Sequence, residues 1–314
     1  MNSTVALVGT GLIGRGWAIL FANAGYTVQA YDADPRASTV AHEAIAANLD
    51  MLLAEGMIAS TRELSARISF LTSMETAVRG ASYVQESVTE DIEIKRTTFE
   101  KLSRLCGPDV ILASSCSSIS PERFMATAVT PGRCLIAHPF SPPHLIPLVE
   151  IVPTRWTSEQ TLSRTHALMA ELGQEPVRIH KSVTGFVVNR LQAAVINEAL
   201  HLVADGVIEP SDLDRCMSHG LGLRWAFIGP FETMELNAAN GFRDYVSKFG
   251  NVYRAILDDM GIRESWSKAA IDAVELSRRA MLPDLSRIPL RQLWRDNMLV
   301  KLAKLFRGAH LGRA

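Results

Sequence analysis

Apolar residues in this chain come in short, dense runs separated by helix-length amphipathic stretches, and the runs stop abruptly at residue 181. Val5-Ala6-Leu7-Val8, Tyr26 to Tyr31, Ile68 to Leu71, Tyr83-Val84-Gln85, Val110 to Ala113, Leu135-Ile136-Ala137, Leu148 to Val152 and Pro176 to Ile179 read as strands. Between them lie helical segments at 15–24, 35–53, a shorter one following Ser60 to Glu63, 91–105 and 158–172. Strands alternating with helices predict an α/β fold, a doubly wound and mostly parallel sheet with helices on both faces. From Asn189 the period becomes purely helical, with further helices expected at 189–204, 210–217, 230–247, 249–260, 264–280 and 287–307. The expected organisation is therefore residues 1–185 as the α/β domain and 186–314 as an all-α domain. The helix pair over residues 37–66 is an insertion that could lie over a substrate.

The first strand runs straight into Gly9-Thr10-Gly11-Leu12-Ile13-Gly14. Gly9 permits the tight turn, Gly11 lets the backbone approach a pyrophosphate, and Gly14 lets helix pack on strand. The N–H groups over Gly11, Leu12, Ile13 and Gly14 then point at the phosphates. Asp32 ends the second strand, 18 residues beyond Gly14. A carboxylate there accepts from both ribose hydroxyls and repels a 2′-phosphate, so the expected cofactor is NAD. Arg36 is a mild counter-argument, because an arginine at that point can accept the phosphate of NADP.

Composition narrows the partners. Of 314 residues 47% are hydrophobic and 21% charged, and the net charge is −1, which gives no electrostatic reason to expect nucleic acid or membrane. Cys106, Cys116, Cys134 and Cys216 lack metal-ligand spacing and read as reduced thiols. With no signal peptide and no membrane-length apolar run in view, a soluble cytoplasmic protein is expected. The segment Arg287 to Arg313 carries seven basic residues and one acid, Asp296, and is amphipathic. A helix docked on its neighbours is the plain expectation for it, and a subunit contact the sharper one.

A dinucleotide fold supplies hydride chemistry, and the chain must supply a proton acceptor. Of eight histidines, His138 alone ends an apolar strand at the expected crevice. Glu150 lies in the middle of a strand that is otherwise apolar, and a buried carboxylate needs a partner. An imidazole is the obvious one, although His138 as a strand-end residue and Glu150 paired elsewhere fit the residues equally well.

The motifs Gly9-x-Gly11-x-x-Gly14, Gln85-Glu86-Ser87-Val88-x-Glu90, Ser117-Ser118, His138-Pro139-Phe140-x-Pro142, Leu148-Val149-Glu150 and Gly185-Phe186-Val187-x-Asn189-Arg190 resemble the L-3-hydroxyacyl-CoA dehydrogenase superfamily over nearly the whole chain. The resemblance implies His138 as general base, Glu150 as its partner, Ser117 on the substrate oxygen and Asn189 positioning substrate and base. It places Glu90 near the nicotinamide ribose and implies a homodimer formed through the helical domain. Two positions depart from the family, with Ser115 and Ser141 standing where asparagine is common. Ser115 is expected at the cofactor. Ser211-Asp212-Leu213-Asp214, Gly220 to Pro230 and Leu293-Trp294-Arg295-Asp296 resemble most closely the λ-crystallin and L-gulonate 3-dehydrogenase branch. Arg224 in that stretch suits a carboxylate through paired charge-assisted hydrogen bonds, and a local ion pair is its alternative role. The expected activity is NAD-dependent oxidation of a small L-3-hydroxy acid such as L-gulonate. A 3-hydroxyacyl-CoA substrate, a carnitine-like acid and a non-catalytic NAD-binding structural protein are the competing readings.

Overall fold

The computed structural model describes residues 3–261 apart from 227 and 240, and beyond them residues 280, 283–287, 290, 293–294, 296–297, 300–302 and 304–305. Eight strands form one sheet: β1 (Thr4–Val8), β2 (Thr27–Tyr31), β3 (Ile68–Leu71), β4 (Ala81–Glu86), β5 (Ile111–Ser114), β6 (Cys134–Pro139), β7 (Leu148–Pro153) and β8 (Glu175–Arg178). Their order is β3-β2-β1-β4-β5-β6-β7-β8. The helices interleaved with them are α1 (Leu12–Asn23), α2 (Ala37–Ala54), α3 (Thr61–Ala66), α4 (Met74–Ala77), α5 (Ile92–Leu105), α6 (Glu122–Met125) and α7 (Glu159–Glu171). The direction of winding reverses between β1 and β4. In such sheets the crevice beyond the carboxyl ends of those two strands receives the ligand.

Side chains alternate across the sheet with period two and divide the core into two layers. Leu7, Tyr83, Ala113, Leu135 and Val149 pack with Trp17 and Phe21 of α1 and Leu49 of α2. Val8, Val84, Leu112, Ile136 and Val152 pack on the other face with Phe99 and Leu102 of α5 and with Phe124.

One step in the sheet departs from the parallel pattern. β6 and β7 are antiparallel, with His138 directly opposite Glu150. The connection from Phe140 to Pro147 is too short for a parallel crossover, which needs a dozen residues or more, so the chain must turn back. This reversal makes a 12-residue spacing a cross-strand contact.

By contacts the chain divides into Met1–Arg190 together with Leu290–Ala314, and Leu191–Pro289. The first unit therefore takes back the end of the chain, where the sequence suggested one helical domain from 186 to 314. Val300 is fully buried in the same layer as α1 and α2, and Lys304 pairs with Glu55 at 2.9 Å. The described residues between 290 and 305 are helical, as expected for 287–307. The helix expected at 264–280 lies outside the described residues except for Ala280.

The second unit is helical, from the body of α8 (Val188–Ala204) through α9 (Pro210–Cys216), α10 (Gly222–Trp225) and α11 (Pro230–Leu236) to α12 (Phe242–Met260). The break expected at residue 248 is absent. It falls instead before Phe242, where Gly241 adopts φ +78° and the Glu235 carboxylate accepts from the Phe242 N–H at 2.6 Å. That left-handed φ is one that only glycine adopts readily, so glycine is needed there.

His144, in the β6–β7 connection, is buried, and among the described residues neither ring nitrogen has a hydrogen-bond partner. Burial pushes its pKa down to about 4, against a partial opposing pull from Asp296. The unfolded chain binds a proton near pH 6.5 that the folded chain refuses until about pH 4, so stability falls as pH drops through that window. The loss attributable to this ring is on the order of 3 kcal/mol. His144→Phe should therefore gain stability over wild type progressively from pH 7 to pH 4 in urea titrations; parallel curves at all pH values would contradict this.

Candidate active site

At the first-strand turn, Gly9 has φ +97°, and an added Cβ would lie 2.5 Å from the Ser87 backbone. A Cβ on Gly14 would lie 2.0 Å from the Gly9 carbonyl. A Cβ added to Gly11 would meet nothing within 4 Å, and α1 has no side-chain cap there. The backbone N–H groups at the start of α1 thus face open space beside the crevice, which is the cradle a pyrophosphate fits. Leu12 is exposed and Ile13 partly so, each offering its N–H rather than its side chain.

Asp32 is held by the turn it faces: its Oδ2 accepts from the Thr10 N–H at 2.7 Å and the Thr10 hydroxyl at 3.1 Å, and its Oδ1 from the Asp34 N–H at 3.0 Å. Oδ2 already accepts two bonds, and Oδ1 keeps lone-pair capacity for a ribose hydroxyl. Arg36 turns instead to Asp34, with Nε and one terminal nitrogen each 3.1 Å from a carboxylate oxygen. That fork uses the arginine locally and weakens the argument for NADP.

Beyond the sheet end, Glu90 gathers the loop after β5. Its carboxylate accepts from the hydroxyls of Ser117 at 2.5 Å and Ser118 at 2.7 Å, and from both of their backbone N–H groups. Partial burial raises the Glu90 pKa and these bonds outweigh it, leaving the group below the ordinary carboxylate range. Because the Ser117 hydroxyl donates to Glu90, its oxygen is free to accept; to donate to a substrate it must rotate away. Asn189 donates to the Ser117 carbonyl at 2.9 Å, so the structure brings Glu90, Ser117 and Asn189 together.

Beside them, Nδ1 of His138 lies 2.8 Å from Oε2 of Glu150, and both side chains are buried. Oε1 of Glu150 accepts from the backbone N–H groups of Val187 at 2.9 Å and Val188 at 3.1 Å, at the N-terminus of α8. Burial raises the Glu150 pKa, but the bonds from His138 and those N–H groups outweigh it and hold the carboxyl below its ordinary range. An ionised Glu150 can only accept, so Nδ1 carries the proton and Nε2 is the basic nitrogen. Phe140 and Phe186 pack edge-on against the imidazole, with centroids 6.1 and 5.6 Å away. Phe186 adopts φ +49°, a conformation uncommon outside glycine, and by it the chain passes from Gly185 into α8 with its N–H groups aimed at Glu150.

Two polar clusters went unread in the sequence. Lys95 on α5 is buried and pairs with buried Glu86 at 2.8 Å, while Ser114 donates to the same carboxylate at 2.5 Å. They tie the ends of β4 and β5 together under the Glu90 loop. On the opposite face of β4, Ser115 accepts from Trp17 Nε1 at 3.1 Å and Gln85 Nε2 at 2.7 Å, and its Oγ lies 2.8 Å from that of Ser87. The only hint was a Gln-Glu pair closing an otherwise apolar strand. Arg224 lies in the second unit, exposed on α10.

Comparison with known proteins accords with this geometry. Residues 4–183 match the family model for the 3-hydroxyacyl-CoA dehydrogenase NAD binding domain, and residues 185–280 match that for the 3-hydroxyacyl-CoA dehydrogenase C-terminal domain. Lambda-crystallin of Oryctolagus cuniculus is 42% identical over 96% of both chains. L-carnitine dehydrogenase of Pseudomonas sp is 38% identical over 79% of this chain and 77% of its own. The crystal structure of 5-formyl-3-hydroxy-2-methylpyridine 4-carboxylic acid 5-dehydrogenase, an NAD+ dependent dismutase, superposes with a TM-score of 0.84 at 28% identity, covering 98% of this chain and 99% of that one.

Removing Glu150 should leave the His138 Nδ1–H and two backbone N–H groups without their acceptor. Glu150→Ala is expected to lower unfolding free energy by about 3 kcal/mol or more, at roughly 1–3 kcal/mol for each of the three unsatisfied groups, measured by urea titration at neutral pH. An unchanged midpoint would show that the carboxylate holds nothing in place.

Proposed function

The chain belongs to the 3-hydroxyacyl-CoA dehydrogenase family and is an NAD-dependent oxidoreductase, and on that premise we propose that it oxidises the 3-hydroxyl of a small free L-3-hydroxy acid, L-gulonate-like, to the 3-oxo acid. The observation that carries the reading is the His138–Glu150 pair, which leaves Nε2 basic at the carboxyl end of the sheet. NAD, when bound, supplies the hydride acceptor. The N–H groups at Gly11 to Gly14, Asp32 and the Glu90 region hold it. Nε2 of His138 takes the proton from the substrate hydroxyl, and Glu150 stabilises the resulting imidazolium. The Ser117 hydroxyl, rotated away from Glu90, donates to the substrate oxygen and orients it; Asn189 fixes the Ser117 backbone. In the reducing direction protonated His138 returns the proton.

Arg224 is assigned to the substrate carboxylate. Two observations support a free acid: no described residue offers this guanidinium a carboxylate, and a relative named for L-carnitine, itself a free 3-hydroxy acid, aligns across most of the chain. The CoA thioester is the second reading, favoured by the family's own description. A homodimer through the second unit is also part of the proposal. Val246, Phe249, Tyr253 and Ile256 of α12 form an exposed apolar stripe at helical spacing, and neither α8 nor α12 buries a described residue. No helix among the described residues is long and apolar enough to cross a membrane. The free cysteines suit the cytoplasm.

His138→Ala should reduce turnover about a hundred- to ten-thousandfold with NADH affinity preserved; collapse of NADH affinity would make His138 a cofactor or structural residue. Arg224→Met should raise KM for a carboxylate substrate about tenfold or more, the worth of a charge-assisted hydrogen bond, and an unchanged KM would remove the clamp. NADH formation with L-gulonate, L-carnitine and L-3-hydroxybutyryl-CoA compared side by side separates the substrate readings, since turnover of the thioester alone would contradict the free-acid proposal. Sedimentation at micromolar concentration should give twice the chain mass, and a monomer would contradict the dimer.

A further inference from the structure

The hydrogen-bond cluster behind the crevice has only one consistent arrangement of protons. Trp17 Nε1 can only donate, and it points at the Ser115 hydroxyl at 3.1 Å. The carbonyl of Ala137 can only accept, and it faces Gln85 Nε2 at 3.2 Å, which fixes the orientation of that amide. The second N–H on Gln85 Nε2 therefore goes to Ser115 at 2.7 Å, and its Oε1 accepts from the Tyr83 hydroxyl at 2.6 Å. Ser115 now receives two donors and has both lone pairs filled. Its own hydrogen has one place left to go, the Ser87 oxygen 2.8 Å away. Ser87 thus accepts, and its own O–H remains to be given; no described residue receives it.

That leftover donor lies in a particular place. Ser87 directly follows β4, one of the two strands flanking the point where the winding reverses. Its backbone carbonyl is what a Cβ on Gly9 would strike, and its Cβ would lie 3.8 Å from one on Gly14. Ser87 is only partly buried, beside the Gly9–Gly14 turn, so a bound dinucleotide can reach its hydroxyl. The hydroxyl of Ser115, where the family commonly has asparagine, is spent wholly on the protein.

We infer that Ser87 is a cofactor-binding residue, its hydroxyl oriented by Ser115 to donate to an acceptor oxygen of the bound dinucleotide. The inference rests on NAD as the cofactor and is independent of the substrate. Three fixed donors on the protein side leave the Ser87 proton no competing acceptor within it, so the direction of the bond is set before the cofactor arrives.

Direct binding of NADH, followed by its fluorescence with no substrate present, tests this. Ser87→Ala should weaken NADH binding about tenfold, the scale of one hydrogen bond to a charged acceptor. Ser87→Thr, which keeps the hydroxyl, should bind within about threefold of wild type and melt close to it, while Ser87→Ala, which also deprives the Ser115 hydrogen of its acceptor, should melt somewhat lower but remain folded. Wild-type affinity in Ser87→Ala would overturn the inference. So would equal weakening in Ser87→Thr, because that would show a loss of fit rather than of a donor. Should Ser87→Ala fail to fold, Ser87→Cys, nearly isosteric but a weak donor, is held to the same outcomes. Failure of the wild-type protein itself to bind NADH would instead strike at the cofactor, a result distinguishable from either.

Discussion

The contact between His138 and Glu150 depends on a single reversal of chain direction in an otherwise parallel sheet. Were β7 parallel to β6, residue 150 would stand nowhere near residue 138 after so short a connection. The reversal sets the two side chains opposite each other on one sheet face, and burial then makes the pair obligatory. An unpartnered carboxylate at that depth costs several kcal/mol in rough terms. Two backbone N–H groups at the start of α8 share the charge, so the same carboxylate that orients the imidazole also caps the helix that follows. Phe186 accepts an unfavourable φ to make that junction. One carboxylate thus ties the sheet, the helix start and the basic nitrogen into a single arrangement.

β4 serves as the second organiser, with a polar cluster on each of its faces. Toward α5, Lys95, Glu86 and Ser114 form a buried charged network that sets the loop bearing Glu90. Toward α1, Tyr83, Gln85, Ser115 and Trp17 form a neutral one. Both are fully bonded, the condition under which buried polar groups define a structure rather than weaken it. They meet the crevice from the two sides of the same strand, where a binding site needs its walls most rigid.

Much of this architecture was visible in the pattern of residues. The eight strands were readable because buried strands of this class are short continuous apolar runs, and Gly9 to Gly14 followed by Asp32 marked the cofactor crevice. From the residues alone the pairing of His138 with Glu150 was one of two equal readings, and the family resemblance favoured it and added Ser117, because side-chain proximity across strands depends on direction, and strand direction leaves no local mark in sequence. Lys95 was missed for a related reason: α5 also carries Arg96, Lys101 and Arg104, and nothing local distinguishes the one cation that turns inward to a carboxylate on a neighbouring strand. The break before α12 was placed too late, at residue 248, whereas Gly241 supplies the needed backbone and the helix runs on unbroken from Phe242 to Met260. The return of Val300 to the first unit is a long-range contact that amphipathicity predicts only as docking on something.

The most direct test is the protonation state of the His138 ring, read by nitrogen NMR of the histidine-labelled protein above pH 8, with His138→Gln used to assign its signals. A carboxylate fixed at Nδ1 requires the Nδ1–H tautomer, with an unprotonated Nε2 facing the substrate side. Finding the proton on Nε2 instead would mean that Glu150 does not orient the base, and the proposed proton transfer would have no acceptor.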